Sequence, residues 1–181
     1  MGKGDPSVSI CIVTRNRKDE LLRALASCRA QTYGPLEIRV YDNGSTDGTE
    51  EAVREEYPEV HFSRSANDLG AAAQRNRGFA EAQGKYAFSL DDDAYYTDVR
   101  TIAQAVPLLE ENPAMAVLAM PFVEPAARDT ASWRPAGHEA KPEKPVPVRS
   151  FVACACAFRR DAVLRVGGYR EFFRQWGEER D

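Results

Sequence analysis

Short apolar runs alternate with amphipathic segments along the first 120 residues of the chain. Residues 8–13 form a nearly continuous apolar run rich in β-branched side chains, which is typical of a strand buried on both faces of a parallel sheet. Residues 18–31 then carry apolar side chains at helical spacing, and a Gly-Pro pair stops the helix. The same alternation predicts strands at residues 36–41, 60–63, 86–90 and 115–120, and helices at residues 47–56, 69–83 and 101–111.

Strands and helices in strict rotation predict parallel βαβ units with right-handed crossovers, and hence an open α/β sheet. After Pro121 the composition becomes polar and rich in proline, which predicts a long loop. Residues 151–158 resume as a strand, and residues 160–166 form a short helix that two glycines end. With 181 residues, 43% of them hydrophobic, the chain is long enough for one domain with a real core.

Charge and hydropathy narrow the class of partner. The 28 acidic and 24 basic residues are interspersed, without the run of like charge that would indicate a nucleic-acid-binding arm. No stretch approaches the roughly 20 apolar residues that span a bilayer, and residues 1–6 lack the apolar core of a signal peptide. We therefore expect a cytoplasmic protein without a nucleic-acid partner, and we expect its four cysteines to be ordinary buried thiols.

Polar side chains follow three of the predicted strands. In doubly wound sheets ligands bind beyond the carboxyl ends of the strands, so residues 14–16, 42–48 and 91–93 are the candidate chemistry. Three consecutive aspartates repel one another unless a cation or strong donors compensate, and hard oxygen ligands select Mg²⁺ or Mn²⁺. The alternative is a solvated acidic turn that caps the following helix.

Other nucleotide and metal motifs fit poorly. Residues 43–48 match the first half of a calcium loop, but the position of its bidentate glutamate holds Arg54 and a strand precedes the loop. Asp47 is also expected to cap the helix that follows it. A Walker loop and the dinucleotide glycine fingerprint are both missing from the sequence, so a different kind of nucleotide site is needed.

Five motifs in order, at residues 8–16, 41–49, 67–70, 75–78 and 90–93, resemble glycosyltransferase family 2. The resemblance implies a GT-A fold, which is a Rossmann-like, mostly parallel twisted sheet with helices on both faces. It also implies inverting transfer from a nucleoside diphosphate sugar, with Mg²⁺ or Mn²⁺ at the acidic motif. On this basis residues 1–120 would form the nucleotide-sugar-binding part and residues 121–181 an acceptor-side part, truncated at its end.

The resemblance also implies roles for individual residues. Asp93 would be the most direct metal ligand, with Asp91 as the second. A buried structural role is the alternative for Asn76. The expected donor-side residues are Thr14, Asn16 and Asp42 at the nucleoside, Asn43 with them, Asn67, Gly70, Arg75 and Asn76 at the diphosphate and sugar, and Asp91 and Asp92 at the ribose or a metal-bound water.

The last residues are similar to the family's acceptor-side segment and its acidic general-base motif. Glu179 stands where the family has an aspartate, Glu178 is the second candidate, and a solvated charged helix start is the alternative. The acceptor would be a glycan, a lipid-linked sugar or a small molecule, with peripheral attachment to the inner membrane face an option. Two other interpretations stay open: a fragment that binds donor without turnover, and a sugar-nucleotide pyrophosphorylase, although the basic Gly-rich loop that such an enzyme needs is missing near the first strand.

Overall fold

The computed structural model describes residues 7–121 and 145–172. These residues form eleven helices and strands around one sheet. The strands are β1 (Val8–Thr14), β2 (Leu36–Asp42), β3 (His61–Arg64), β4 (Tyr86–Asp91), β5 (Val117–Ala119) and β6 (Ala155–Arg159). The helices are α1 (Lys18–Arg29), α2 (Thr49–Glu56), α3 (Ala71–Glu81), α4 (Thr101–Glu111) and α5 (Arg160–Val166).

The sheet is open and mostly parallel, in the order β3-β2-β1-β4-β6-β5. Strands β1 to β4 pair in parallel, as their alternation with helices predicts. The parallel run stops there, because β6 returns antiparallel along the free edge of β4. In the described part of the chain β5 pairs with β6 alone, so β5 runs in the same direction as β4 but is separated from it by β6. The predicted strand at residues 151–158 begins only at Ala155.

Helices cover both faces of the sheet, as predicted. On one face α1, α2 and α4 pack against alternate residues of the strands, and Ile10 and Ile12 of β1 lie at the centre with no exposed surface. On the other face Phe79 of α3 packs against Phe158 of β6, with ring centroids 4.9 Å apart, and Cys11 lies nearby under Tyr41. Burial of β1 on both faces explains why its sequence is continuously apolar rather than alternating.

Helix α2 begins later than predicted. Its cap residue is Gly48 in the left-handed region at φ 83°, so the prediction that Asp47 is the cap is wrong by one position. The Asp47 carboxylate still contacts the first residue of two helices. It accepts hydrogen bonds from the backbone N–H of Thr49 in α2 at 3.2 Å and of Lys18 in α1 at 3.0 Å. Desolvation alone would raise the pKa of Asp47, but a hydrogen bond from the Thr49 hydroxyl, together with these backbone bonds, holds it below its ordinary value. The turns after β1 and β2 are thereby tied together.

The cysteines confirm the expectation of ordinary thiols. All four are free, with Cys11, Cys28 and Cys156 buried and Cys154 partly buried. Burial raises the pKa of Cys11 and Cys28 to about 12 and that of Cys154 to about 11. Among the described residues no helix combines the length and the apolar character that crossing a membrane requires.

Candidate functional site

The carboxyl ends of β1, β2 and β4 bring the predicted site residues to one edge of the sheet. In the strand register Thr14 lies beside Asp42, and Val13 lies beside Asp91. The polar turns that follow these three strands therefore meet, although 77 residues separate Thr14 from Asp91 in the sequence. This edge is where ligands bind in open α/β sheets.

Asp92 is the buried member of the aspartate triplet, with 7% of its surface exposed. The Thr14 hydroxyl donates a hydrogen bond to its Oδ2 at 2.8 Å, and the Arg17 guanidinium lies 3.3 Å from its Oδ1. Burial raises the pKa of Asp92 to about 6; the Thr14 bond and the Arg17 charge oppose that shift, and the neighbouring carboxylates add to it. Thr14 and Asp92 thus act as one buried pair that joins the ends of β1 and β4.

Asp91 and Asp93 are the accessible members, with side chains 33% and 48% exposed. Each carboxylate contacts a guanidinium: Arg75 lies 2.9 Å from Asp91, and Arg17 lies 2.7 Å from Asp93. Within the described ranges no cluster of three His, Cys, Asp or Glu side chains could hold a metal alone. Two accessible carboxylates do fit Mg²⁺ or Mn²⁺, because such ions typically take one or two protein carboxylates and fill the other positions with water and phosphate oxygens.

The turn after β2 is organised by Asp42, which is fully buried. Its Oδ2 accepts a hydrogen bond from the Ser45 backbone N–H at 3.0 Å and lies 3.6 Å from the Arg64 guanidinium. Its Oδ1 is buried without a hydrogen-bond partner among the described residues. A buried acceptor without a donor costs free energy, so this oxygen is a candidate to accept a hydrogen bond from a ligand or an ordered water.

Asn16 and Asn43 connect the loops of the site. Asn16 adopts φ 51°, in the left-handed region where asparagine is tolerated, and its Oδ1 accepts a hydrogen bond from the Thr46 backbone N–H at 2.8 Å. The Asn43 amide donates to Asp68, and its Oδ1 accepts from the Leu69 backbone N–H at 2.8 Å. Both side chains therefore make loop-to-loop contacts in this structure, and their predicted contact with the nucleotide stays a prediction.

The start of α3 carries the next two predicted residues. Asn67 is exposed in the loop before the helix, and Gly70 is the residue before Ala71 at φ 85°, a conformation that favours glycine. The Asp68 carboxylate between them accepts from the Gly70 backbone N–H at 2.9 Å and also pairs with Arg15. These contacts fix the loop beside the turn after β2.

Arg75 and Asn76, which are adjacent on α3, face different partners. Besides Asp91, the Arg75 guanidinium lies over the Tyr169 ring, 5.8 Å from its centroid. The Asn76 amide makes two hydrogen bonds of 2.7 Å with the Tyr169 backbone, one to its carbonyl and one from its N–H, and a third of 3.1 Å to Glu171. These bonds correspond to the structural alternative for Asn76, and they link the segment after α5 to the donor-side edge.

Sequence reasoning missed three residues of this edge. Arg17 contacts two aspartates of the triplet, Asp68 joins two loops, and Gln74 is fully buried and donates to the Ser65 hydroxyl at 2.7 Å. For two of them the sequence offered a signal, which is their position. Arg17 immediately precedes a predicted helix, and Asp68 lies inside one of the five motifs. The predicted bases Glu178 and Glu179 lie outside the described residues.

The sequence model of Glycosyl transferase family 2 matches residues 9–167. The chain belongs to glycosyltransferase family 2. It is 38% identical over 100 residues to "Uncharacterized glycosyltransferase YibD" of Escherichia coli K12, covering 52% of this chain and 29% of that protein. It is 32% identical over 94 residues to "UDP-Glc:alpha-D-GlcNAc-diphosphoundecaprenol beta-1,3-glucosyltransferase WfaP" of E. coli, covering 51% of this chain and 38% of that protein. The matched part thus spans less than two fifths of either relative.

Solved structures establish the GT-A fold for this member of the family. The mannosyltransferase PcManGT from Pyrobaculum calidifontis, solved with GDP-Man and Mn²⁺, superposes with a TM-score of 0.72 at 24% identity, over 92% of this chain and 48% of that one. Staphylococcus aureus TarS 1–349 with UDP gives 0.74 at 18% identity, over 96% of this chain and 53% of that one. The predicted family and fold class are confirmed.

Proposed function

We propose that this glycosyltransferase moves a sugar from a nucleoside diphosphate carrier to an acceptor hydroxyl with inversion, assisted by Mg²⁺ or Mn²⁺ at Asp93 and Asp91. The observation that carries the proposal is the meeting of three polar turns, with all three aspartates of the triplet, at one edge of the sheet. The GDP-Man and Mn²⁺ bound to PcManGT, and the UDP bound to TarS, support the same ligand class here.

Each side chain of this edge has a task in that reaction. A divalent cation bound there would neutralise negative charge on the departing diphosphate. Arg75, whose side chain is only 12% exposed, is held beside Asp91 and can direct its planar guanidinium at phosphate oxygens, for which its fork geometry is suited. Thr14 keeps the Asp92 carboxylate in place by its 2.8 Å hydrogen bond, so that Asp91 and Asp93 on either side are presented at a fixed spacing.

The second half of the reaction needs a proton acceptor at the attacking hydroxyl. We assign this role to Glu179, with Glu178 as the alternative, on the resemblance of the last residues to the family's general-base motif. A positioned general base is typically worth about 10²- to 10⁴-fold in rate. We propose a glycan or lipid-linked sugar as acceptor at a cytoplasmic membrane face, because the name of the relative WfaP specifies a sugar on a diphosphoundecaprenol carrier.

Calorimetric titration of UDP and GDP, with and without Mn²⁺, tests the donor site. We expect one nucleotide to bind in a Mn²⁺-dependent way, and Asp93→Asn to abolish that dependence. Asp161→Asn is the matched control, because Asp161 is also an exposed aspartate paired with an arginine, but α5 follows the end of β6 at the opposite edge of the sheet. Mn²⁺-independent binding, or equal loss in both variants, would overturn the proposed metal site.

Transfer itself is tested with the matching nucleoside diphosphate sugars and an acceptor panel, reading the anomeric configuration of the product by NMR. Inverted product that Glu179→Gln suppresses and Glu178→Gln spares would support the assigned base. Retained configuration would refute the proposed single displacement. Donor binding without any transfer would favour the donor-binding fragment instead.

A further inference from the structure

Arg17 occupies a distinctive position at the aspartate triplet. It immediately precedes α1, and its guanidinium Nη1 lies 2.7 Å from Asp93 Oδ2 and 3.3 Å from Asp92 Oδ1. One guanidinium nitrogen therefore bridges the buried aspartate and the accessible aspartate to which we assign the metal. The charge of Asp92 raises the pKa of Arg17 and that of Asp93 adds to the shift, against partial desolvation, so Arg17 stays charged.

We propose that Arg17 is the resident counter-cation of the metal site, which the divalent ion must displace from Asp93 and which then turns to the donor diphosphate. The inference rests on the proposed function, because it takes Asp93 as the metal ligand. A carboxylate bound to a divalent cation would be a poorer acceptor for a guanidinium, and the two cations would repel each other. The ion and Arg17 would therefore compete for the same carboxylate.

Accessibility separates Arg17 from the other arginine of the site. The Arg17 side chain is 51% exposed, so its ion pairs are weak and its long side chain is free to swing. The Arg75 side chain is 12% exposed and lies between Asp91 and the Tyr169 ring, which holds it in place. Displacement by a cation is therefore expected of Arg17 and not of Arg75.

Charge balance indicates where Arg17 goes. The three aspartates of the triplet and the two arginines that pair with them carry one net negative charge, and a divalent cation would reverse that sign. A diphosphate would compensate the charge that the cation adds, and it offers a released guanidinium the oxygen pair that its fork matches. Metal and nucleotide should therefore strengthen each other's binding, and Arg17 should account for part of that coupling.

Titration of Mn²⁺, followed by electron paramagnetic resonance of the free ion, tests this proposal without relying on catalysis. Arg17→Gln should bind Mn²⁺ about tenfold more tightly than the wild type in the absence of nucleotide, because a competing cation has been removed. Arg165→Gln is the matched control: its side chain is 69% exposed and it pairs with Asp161 rather than with the triplet. Its Mn²⁺ affinity should equal that of the wild type.

A second titration repeats the measurement with UDP and with GDP present. The nucleotide that binds should tighten Mn²⁺ binding several-fold less in Arg17→Gln than in the wild type. Equal Mn²⁺ affinity and equal coupling in the two proteins, with circular dichroism showing both folded, would overturn the role of Arg17 and leave the metal site standing. Mn²⁺ binding by none of the proteins, with or without nucleotide, would overturn both proposals.

Discussion

Gly168 is the residue whose replacement the structure predicts most sharply. It follows α5 at φ 73°, and a Cβ added there would lie 2.2 Å from the Asn76 Oδ1 atom. The neighbouring Gly167 has a similar φ of 87°, but a Cβ on it would meet no atom within 4 Å. Gly168→Ala and Gly167→Ala therefore share the backbone penalty and differ only in the collision with Asn76.

The magnitude follows from two contributions. Holding alanine in the left-handed region costs about 1–2 kcal/mol, and this is the whole effect expected for Gly167→Ala. Gly168→Ala also displaces the Asn76 amide from its two 2.7 Å hydrogen bonds with the Tyr169 backbone. Each such bond is worth about 0.5–1.5 kcal/mol net, so Gly168→Ala should lower the free energy of unfolding by about 2–5 kcal/mol.

Urea unfolding of four proteins provides the test: the two alanine variants, Asn76→Ala, and the double variant Asn76→Ala/Gly168→Ala. Once Asn76 is truncated, the added methyl group has no amide to displace, so Gly168→Ala should then cost only what Gly167→Ala costs. If Gly168→Ala is as mild as Gly167→Ala, or remains costly without the Asn76 amide, the contact between Asn76 and the Tyr169 backbone is not what requires glycine.

Two further predictions concern buried groups. Glu37 accepts hydrogen bonds from the Ser9 hydroxyl and the Gln83 backbone N–H; burial alone would raise its pKa, but these bonds and Arg39 hold it below the ordinary value. The Glu37 carboxylate should therefore stabilise the folded state fully above the ordinary glutamate pKa of about 4.3, and this stabilisation should be lost as pH falls through the lower folded-state pKa. Glu37→Gln should lower the free energy of unfolding by about 1–3 kcal/mol near neutral pH. Urea unfolding should show that this difference between variant and wild type shrinks in acid, and a difference that does not change with pH would contradict the prediction. Because burial raises the pKa of Cys11 and Cys28 to about 12, a thiol reagent at mildly alkaline pH should label both only after unfolding. Rapid labelling of Cys11 or Cys28 in the native protein, located by peptide mass spectrometry, would refute their burial.

The order and type of the helices and strands were predictable because burial requires apolar residues at a regular spacing in the sequence. Residues 8–13 are apolar throughout since β1 is covered on both faces, and the helix at Thr101–Glu111 was located to the residue. The position of β6 was not predictable, because an apolar run indicates a strand but not which strand it pairs with. Its insertion beside β4 depends on backbone hydrogen bonds that any sequence can make.

The candidate site was predictable in the same uneven way. Strand ends place Thr14, Asp42 and Asp91 at one edge, since parallel strands end together. The contacts of Arg17 with Asp92 and Asp93 span 75 and 76 residues, and no local pattern encodes them. The Asn76 amide likewise holds the Tyr169 backbone 93 residues away, a contact that no local pattern encodes, while its predicted ligand contact stays a prediction.

The return of the chain through β6 has a consequence for how such a protein can diversify. The chain leaves the sheet at Met120 and comes back at Ala155, and the backbone N–H of Met120 donates to the Ala155 carbonyl at 3.0 Å. The two positions between which the chain can be lengthened are thus adjacent, and doubling the length of a flexible loop costs only about 0.6 kcal/mol. Insertions, deletions or grafts between these two anchors should therefore leave the register of the strands that carry the aspartates unchanged.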